Sequence, residues 1–200
     1  GPVEITLDKR IPFGAGLGGG SSDAAAVLKI CNALFSLGLS REQLAALGKS
    51  LGADVPALLY DGATRGSGNG AEVRPVRTSL SLPLLLIKPP AGLSTPAMYR
   101  RLDEMGLGQG EAGQSEAAEE ALRQNDAAAL KAQLFNVFDI AAEGEDILTA
   151  RLLLRAAGAE KVALCGSGSA SFGVFPDRES RDSAAERLKK ELPPDWWSEA

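Results

Sequence analysis

Pro12-Phe13-Gly14-Ala15-Gly16-Leu17-Gly18-Gly19-Gly20-Ser21-Ser22-Asp23-Ala24-Ala25-Ala26 is the most informative stretch of the chain, because five of the seven residues from Gly14 to Gly20 are glycine. Without Cβ atoms in the way, the backbone N–H groups of such a run can close around an anion. A helical pattern follows at once, with Val27, Leu28, Cys31, Leu34 and Phe35 spaced to form one apolar face. The positive end of that helix's dipole then lies beside the loop. The small residues Ala24, Ala25 and Ala26 let the helix start close against a sheet. Upstream, the alternating Val3-Glu4-Ile5-Thr6-Leu7 predicts a strand. Strand, glycine loop and helix in succession read as a phosphate cradle, since a flexible linker would not be flanked so directly.

Two generic phosphate motifs do not account for the loop. Gly14-x-Gly16-x-x-Gly19 matches the dinucleotide fingerprint in form, but the stretch about 20 residues on, Leu37 to Gln43, is a helix–helix junction and not a second strand ending in an acid. Gly14-x-x-x-x-Gly19-Gly20-Ser21 resembles a Walker A motif with glycine at the position of the required lysine.

Composition narrows the chemistry further. The 200 residues are 44% apolar and 24% charged, an ordinary globular balance that excludes a disordered or disulfide-scaffold chain. A net charge of -5 provides no basic field for nucleic acid or anionic lipid. The longest aliphatic run, Leu84 to Ile87, is far below the ~20 residues of a membrane span. The chain contains no histidine, which removes Ser-His-Asp and Cys-His machinery and every His-bearing zinc site. A catalytic base must then be a carboxylate, Lys, Tyr or Cys. Cys31 and Cys165 stand on an apolar helix face and a strand, where small buried hydrophobes are expected.

Outward from the loop, Gly38 is expected to end the first helix. Ser40-Arg41-Glu42-Gln43 forms a capping box for a second helix, apolar at Leu44, Leu47 and Leu51 and closed by Gly52. Asp54-Val55-Pro56 opens a short turn or helix, and residues 61 to 75, rich in glycine, suggest a loop or edge hairpin. Leu82 to Lys88 reads as a strand. From Asp103 to Asp126, seven acidic residues against one arginine predict a solvated insertion. Helices at Ala127 to Phe135, Ile147 to Ala157 and Ser180 to Leu192, with strands at Lys161 to Cys165 and Ser171 to Phe175, give an antiparallel sheet backed by helices. A boundary near 77 to 81 divides the chain into two α+β lobes, residues 1–78 and 79–200. Trp196-Trp197 fits either a packing anchor or a tail.

Three segments carry a family resemblance. Ile11 to Ala26 resembles the ATP-binding motif of the galactose, homoserine, mevalonate and phosphomevalonate (GHMP) kinase superfamily. Leu51-Gly52-Ala53-Asp54-Val55-Pro56 resembles the segment bearing its catalytic aspartate, and Cys165-Gly166-Ser167-Gly168-Ser169-Ala170-Ser171-Phe172-Gly173 its C-terminal glycine motif. Ser94-Thr95-Pro96 and Asn125-Asp126 add weaker likeness. The triple glycine before Ser21-Ser22 is similar to the branch that phosphorylates the 2-hydroxyl of 4-diphosphocytidyl-2-C-methyl-D-erythritol in non-mevalonate isoprenoid synthesis.

The resemblance implies an α+β, GHMP kinase-like two-lobed fold: a truncated N-terminal lobe that binds ATP and a ferredoxin-like C-terminal lobe. It implies a cytoplasmic enzyme using ATP and Mg²⁺ on a small-molecule alcohol, with neither nucleic acid nor membrane as partner. Its implied site is Pro12, Gly14, Ala15, Gly16, Leu17, Gly18, Gly19, Gly20, Ser21 and Ser22 for ATP, Asp54 for catalysis, and the glycine turn Gly166, Ser167 and Gly168. On spacing alone, Asp54 reads as a cap for the helix that follows it. In other superfamily members a serine pair directly follows Gly-Leu-Gly. Here Gly19-Gly20 intervene, so neither Ser21 nor Ser22 is assigned as a magnesium ligand. Ala71 stands where the family leads one to expect a glutamate. Another kinase of the superfamily, such as a homoserine kinase, or a catalytically silent nucleotide-binding module are the alternatives, and oligomeric state is left open. Gly1-Pro2 lacks an initiator Met, and the family's segment bearing a lysine beside the aspartate would precede it. Lys9 lies on the wrong side of the loop motif to replace that lysine. The chain alone is therefore expected to be catalytically incompetent and prone to self-association through Val27 and Leu34.

Overall fold

The computed structural model describes residues 3–68, 72–107 and 114–200. Asn69, Gly70 and Ala71, the last a position of the family comparison, and the centre of the acidic segment lie outside the described residues.

Helix α1 (Gly19–Leu34) starts inside the glycine run, three residues before Ser22, and stops short of Gly38. Ser36 takes a left-handed φ of 50° there, and the Asn32 side chain both donates to Leu39 O and accepts from Leu39 N at 3.0 Å, turning the chain back. The capping box at Ser40 is present in full and launches α2 (Arg41–Gly48). That helix ends at Gly48, not Gly52, and Val55 from the following turn packs so closely on Gly48 that a Cβ there would lie 2.9 Å from Val55 Cγ1. Helix α3 (Val55–Leu58) follows, with Pro56 in its first turn, where the missing N–H is not needed. Ala25, Leu44, Val55 and Leu59 bind these three helices into one apolar cluster.

Strands β1 (Thr64–Ser67) and β2 (Glu72–Pro75) form the expected hairpin, paired antiparallel from Thr64↔Pro75 to Ser67↔Glu72. Residues 76–83 carry no regular structure. The remainder comprises β3 (Leu84–Lys88), α4 (Thr95–Glu104), α5 (Gln114–Gln124), α6 (Ala127–Gln133), α7 (Phe138–Ala141), α8 (Glu145–Ala156), β4 (Lys161–Leu164), β5 (Ser171–Val174), α9 (Arg178–Glu191) and β6 (Trp197–Glu199).

The four strands β3 to β6 lie in the order β4-β5-β3-β6, every neighbouring pair antiparallel. A β-α-β-β-α-β succession in this order is the ferredoxin-like arrangement. Successive residues of β3 point to opposite faces. Leu85 and Ile87 meet Ala150 and Leu154 of α8 and Leu188 of α9 in the main core, while Leu86 with Phe172 underlies the glycine loop at Ala15. Each fully buried Leu or Phe there contributes about 1.5–3 kcal/mol by leaving water.

Three further expectations fail. Val3 to Leu7 is not a strand: it runs exposed with no ladder partner among the described residues, and an extended segment without a partner has no sheet to join. Leu34 is exposed as expected, but Val27 is half-buried. The acidic stretch is not merely solvated. Its helix α5 inserts Glu119, 7% exposed, between arginines. Arg65 Nη1 donates to Glu119 at 3.0 Å, Arg74 closes on it bidentately, and Arg123, one helical turn on, pairs at 2.6 Å. Arg74 and Arg65 hold the Glu119 carboxyl at about 2. The hairpin and α5 are thereby locked together. The Trp196-Trp197 question resolves as packing: Trp196 lies on the main core and Trp197 pairs with Lys88 as β6.

Candidate active site

The glycine loop and the C-terminal glycine turn, 150 positions apart in sequence, meet backbone to backbone. A Cβ on Gly16 would lie 1.8 Å from Cys165 O, and one on Gly166 would lie 2.8 Å from Gly16 O, so no side chain fits between them. Ser169 N donates to Gly14 O at 3.1 Å and Ala170 N to Ala15 O at 3.0 Å, continuing the sheet's hydrogen bonding into the loop. Ala15, Cys165 and Ala170 are buried beneath this junction. Burial pushes the Cys165 thiol up to about 12, with a smaller push from the Asp139 charge, which makes it an inert packing group.

Above the junction opens a cleft of about 400 Å³. Pro12 to Ser21 form one side, Asp54 another, and Thr95, Tyr99, Phe138, Gly166 and Ser167 face them. Gly18, with φ +67°, is the N-cap of α1 and offers no side-chain cap; Ser22 N makes the first helical bond, to Gly18 O. The N–H groups of Gly19, Gly20 and Ser21 precede that bond and have no partner among the described residues. An uncapped helix start with free donors on a cleft wall is suited to hold an anion.

Asp54 stands at the N-cap position of α3, yet its side chain makes no capping hydrogen bond, and it is exposed to the cleft. The capping role that its spacing allows is therefore not the one it takes. Ser21 Oγ sits beside Gly52, on the turn that leads to Asp54. Of the expected site residues, Ser22 and Gly168 do not line the cleft. Ser22 lies in the first turn of α1, and Gly168 packs beneath against Leu93 and Leu164.

Three cleft residues, Lys9, Tyr99 and Phe138, stand in no local motif that would place them there. Lys9 folds back onto α1, pairs with Asp23 and lies 5.4 Å from the centre of the Phe13 ring. Tyr99 and Phe138 meet edge to face with centroids 5.0 Å apart, giving the opposite wall aromatic surface. Thr95 Oγ1 and Ser167 Oγ share a 2.7 Å hydrogen bond across that wall.

Residues 1–62 match the model of the GHMP kinases N terminal domain, and residues 118–194 that of the GHMP kinases C terminal domain. A 4-diphosphocytidyl-2-C-methyl-D-erythritol kinase of Moorella thermoacetica is 42% identical over 194 residues, covering 96% of this chain and 68% of the relative. The chain belongs to the GHMP kinase family. A second 4-diphosphocytidyl-2-C-methyl-D-erythritol kinase, of Shouchella clausii, is 41% identical, covering 90% of this GHMP kinase chain and 60% of its own length. The crystal structure of a 4-(cytidine 5'-diphospho)-2C-methyl-D-erythritol kinase superposes with TM-score 0.67 at 33% identity, over 96% of this chain and 68% of the other. A homoserine kinase from Cytophaga hutchinsonii superposes with TM-score 0.70 at 18% identity, a likeness of fold alone. The GHMP kinase chain thus spans between 60% and 68% of the length of these curated relatives. Among its described residues no helix is long and apolar enough to cross a membrane.

Proposed function

We propose that this cleft transfers the γ-phosphate of ATP to the 2-hydroxyl of 4-diphosphocytidyl-2-C-methyl-D-erythritol, in the cytoplasm, as a step toward isoprenoid precursors. One observation carries the reading: the uncapped start of α1, the glycine turn and an uncommitted aspartate all face a single cavity. The acceptor follows from the relatives at 41–42% identity, which bear that substrate in their names.

Phosphoryl transfer needs positioning and charge stabilisation more than covalent chemistry. The N–H groups of Gly19, Gly20 and Ser21 hold phosphate oxygens at the positive end of α1. Asp54, free of any capping bond, orients the acceptor hydroxyl or takes its proton. The donor set suits Mg²⁺, which takes hard oxygen ligands and needs only one or two from the protein when phosphates supply others. The Ser21 hydroxyl, on the cleft wall beside the turn that leads to Asp54, would hold it. The ion supplies neutralisation of the charge that moves between phosphate oxygens.

The test is steady-state kinetics of Asp54→Asn in a chain extended at its N-terminus to the relatives' full length. kcat falls at least ~100-fold, while ATP affinity and melting temperature stay within error of the parent. Retained turnover overturns the assignment. The same assay across an alcohol panel that includes homoserine checks the acceptor, and turnover by the unextended chain equal to that of the extended one shows the added segment to be dispensable.

A further inference from the structure

The Gly166–Ser167 turn has no Cβ at its first residue and lies at the end of β4, an outer strand of its sheet. Such a turn has many conformations open to it unless something outside the strand fixes it. The short α6–α7 junction does so. Asn136 Nδ2 donates to Leu164 O at 2.8 Å and to Gly166 O at 2.8 Å, while its Oδ1 accepts from Phe138 N at 3.1 Å. One helical turn later, Asp139 Oδ1 accepts from Leu164 N at 2.9 Å and is held by Arg151 at 3.1 Å. Both backbone polar groups of Leu164 are thus taken by side chains, where a further strand would otherwise bind. The second bond of Asn136 reaches past the strand into the turn itself. Gly166 in turn sits against Gly16 O, so the height of the turn sets how closely the two glycine segments approach.

We propose that Asn136 is a positioning residue of the phosphate site: its amide fixes the Gly166–Ser167 turn against the Gly14–Gly16 loop, so nucleotide affinity depends on a side chain outside the cleft. This inference rests on the reading of the cleft as a nucleotide site. The amide is matched to the task, because it must donate twice to carbonyls and accept once from an N–H. Aspartate keeps the shape and the accepting oxygen but sets a carboxylate oxygen against two carbonyl oxygens. It therefore removes the restraint on the turn and leaves the start of α7 in place.

The test titrates the Mg²⁺ complex of AMP-PNP into the parent chain and into Asn136→Asp by calorimetry, and records amide resonances of both free proteins. The variant binds at least tenfold more weakly. Its Gly166 and Ser167 amide signals move while those of Gly20 and Ser21 hold. Glu119→Gln, which loosens the hairpin far from the turn, lowers the melting temperature without this loss of affinity and controls for general destabilisation. If Asn136→Asp does not fold, Asn136→Ala, which removes the donor without introducing repulsion, is held to the same criterion. Affinity within twofold of the parent in a folded variant overturns the inference while the nucleotide reading stands. Absence of binding by the parent overturns the nucleotide reading, and this inference with it.

Discussion

Replacing Gly16 by alanine tests whether the two glycine segments are joined as tightly as the backbone contact indicates. The added Cβ would lie 1.8 Å from Cys165 O and 2.8 Å from Gly168 N, well inside the 3.0 Å that real Cβ atoms keep. The loop and the turn must part by about 1 Å or more, since neither neighbour is a flexible side chain that can swing away. Three costs follow. Alanine at φ +74° costs about 1–2 kcal/mol. The Ser169 N–Gly14 O and Ala170 N–Ala15 O bonds span the junction and are lost or stretched, at about 1 kcal/mol each. The Ala15, Cys165 and Ala170 cluster opens, adding about 1 kcal/mol. Gly16→Ala therefore loses about 4–5 kcal/mol, a large share of the stability of a typical domain. Gly20→Ala is the matched control: no atom lies within 4 Å of its Cβ position, and alanine in a first helical turn is neutral or gains a few tenths of a kcal/mol. Urea unfolding at 25 °C, with slopes compared to verify two-state behaviour, measures both. A Gly16→Ala variant within about 1 kcal/mol of the parent would refute the tight junction.

Gly18→Val puts a β-branched side chain at φ +67°, at the N-cap facing the cleft; ATP affinity measured by calorimetry falls tenfold or more, about 1.4 kcal/mol, and an unchanged dissociation constant in a folded variant would count against the cradle. Glu119 has a folded pKa of about 2 against an ordinary 4.5, so its pairing stabilises fully above pH 4.5 and is lost as the pH falls toward 2. Glu119→Gln accordingly melts lower at pH 7 and shows a flatter acid limb between pH 4.5 and 2; parallel limbs for the two proteins would exclude the arginine clamp as the cause. Cys165, pushed up to about 12, stays unlabelled by iodoacetamide in native protein at pH 8.5 and reacts only after denaturation, as mass spectrometry of the tryptic peptide will show.

Local chemistry made much of the molecule legible in the sequence. The glycine run with its small-residue helix, the capping box at Ser40 and the alternating pattern of apolar residues are each determined within a few positions by backbone sterics and by which face meets water. The strands β3, β4 and β5 and the helices α6, α8 and α9 were readable for the same reason, whereas α4, α5, α7 and the fourth strand, β6, were not, and the ferredoxin-like form was implied by the family resemblance. Tertiary structure alone decided what depends on partners distant in sequence. Val3 to Leu7 has the period of a strand but no ladder beside it, and Glu119 sits in an acidic segment yet is buried because arginines from a hairpin 45 and 54 positions away converge on it. Asp54 has the spacing of a helix cap, and whether its carboxylate turns to the helix or to the cleft is not encoded in that spacing. The meeting of Gly16 with Gly166, 150 positions apart, and of Asn136 with the turn 30 positions on, likewise arises from the path of the backbone. A residue pattern records the preference of each segment for core or solvent, whereas the site is made by which segments the folded sheet brings within hydrogen-bond reach of one another.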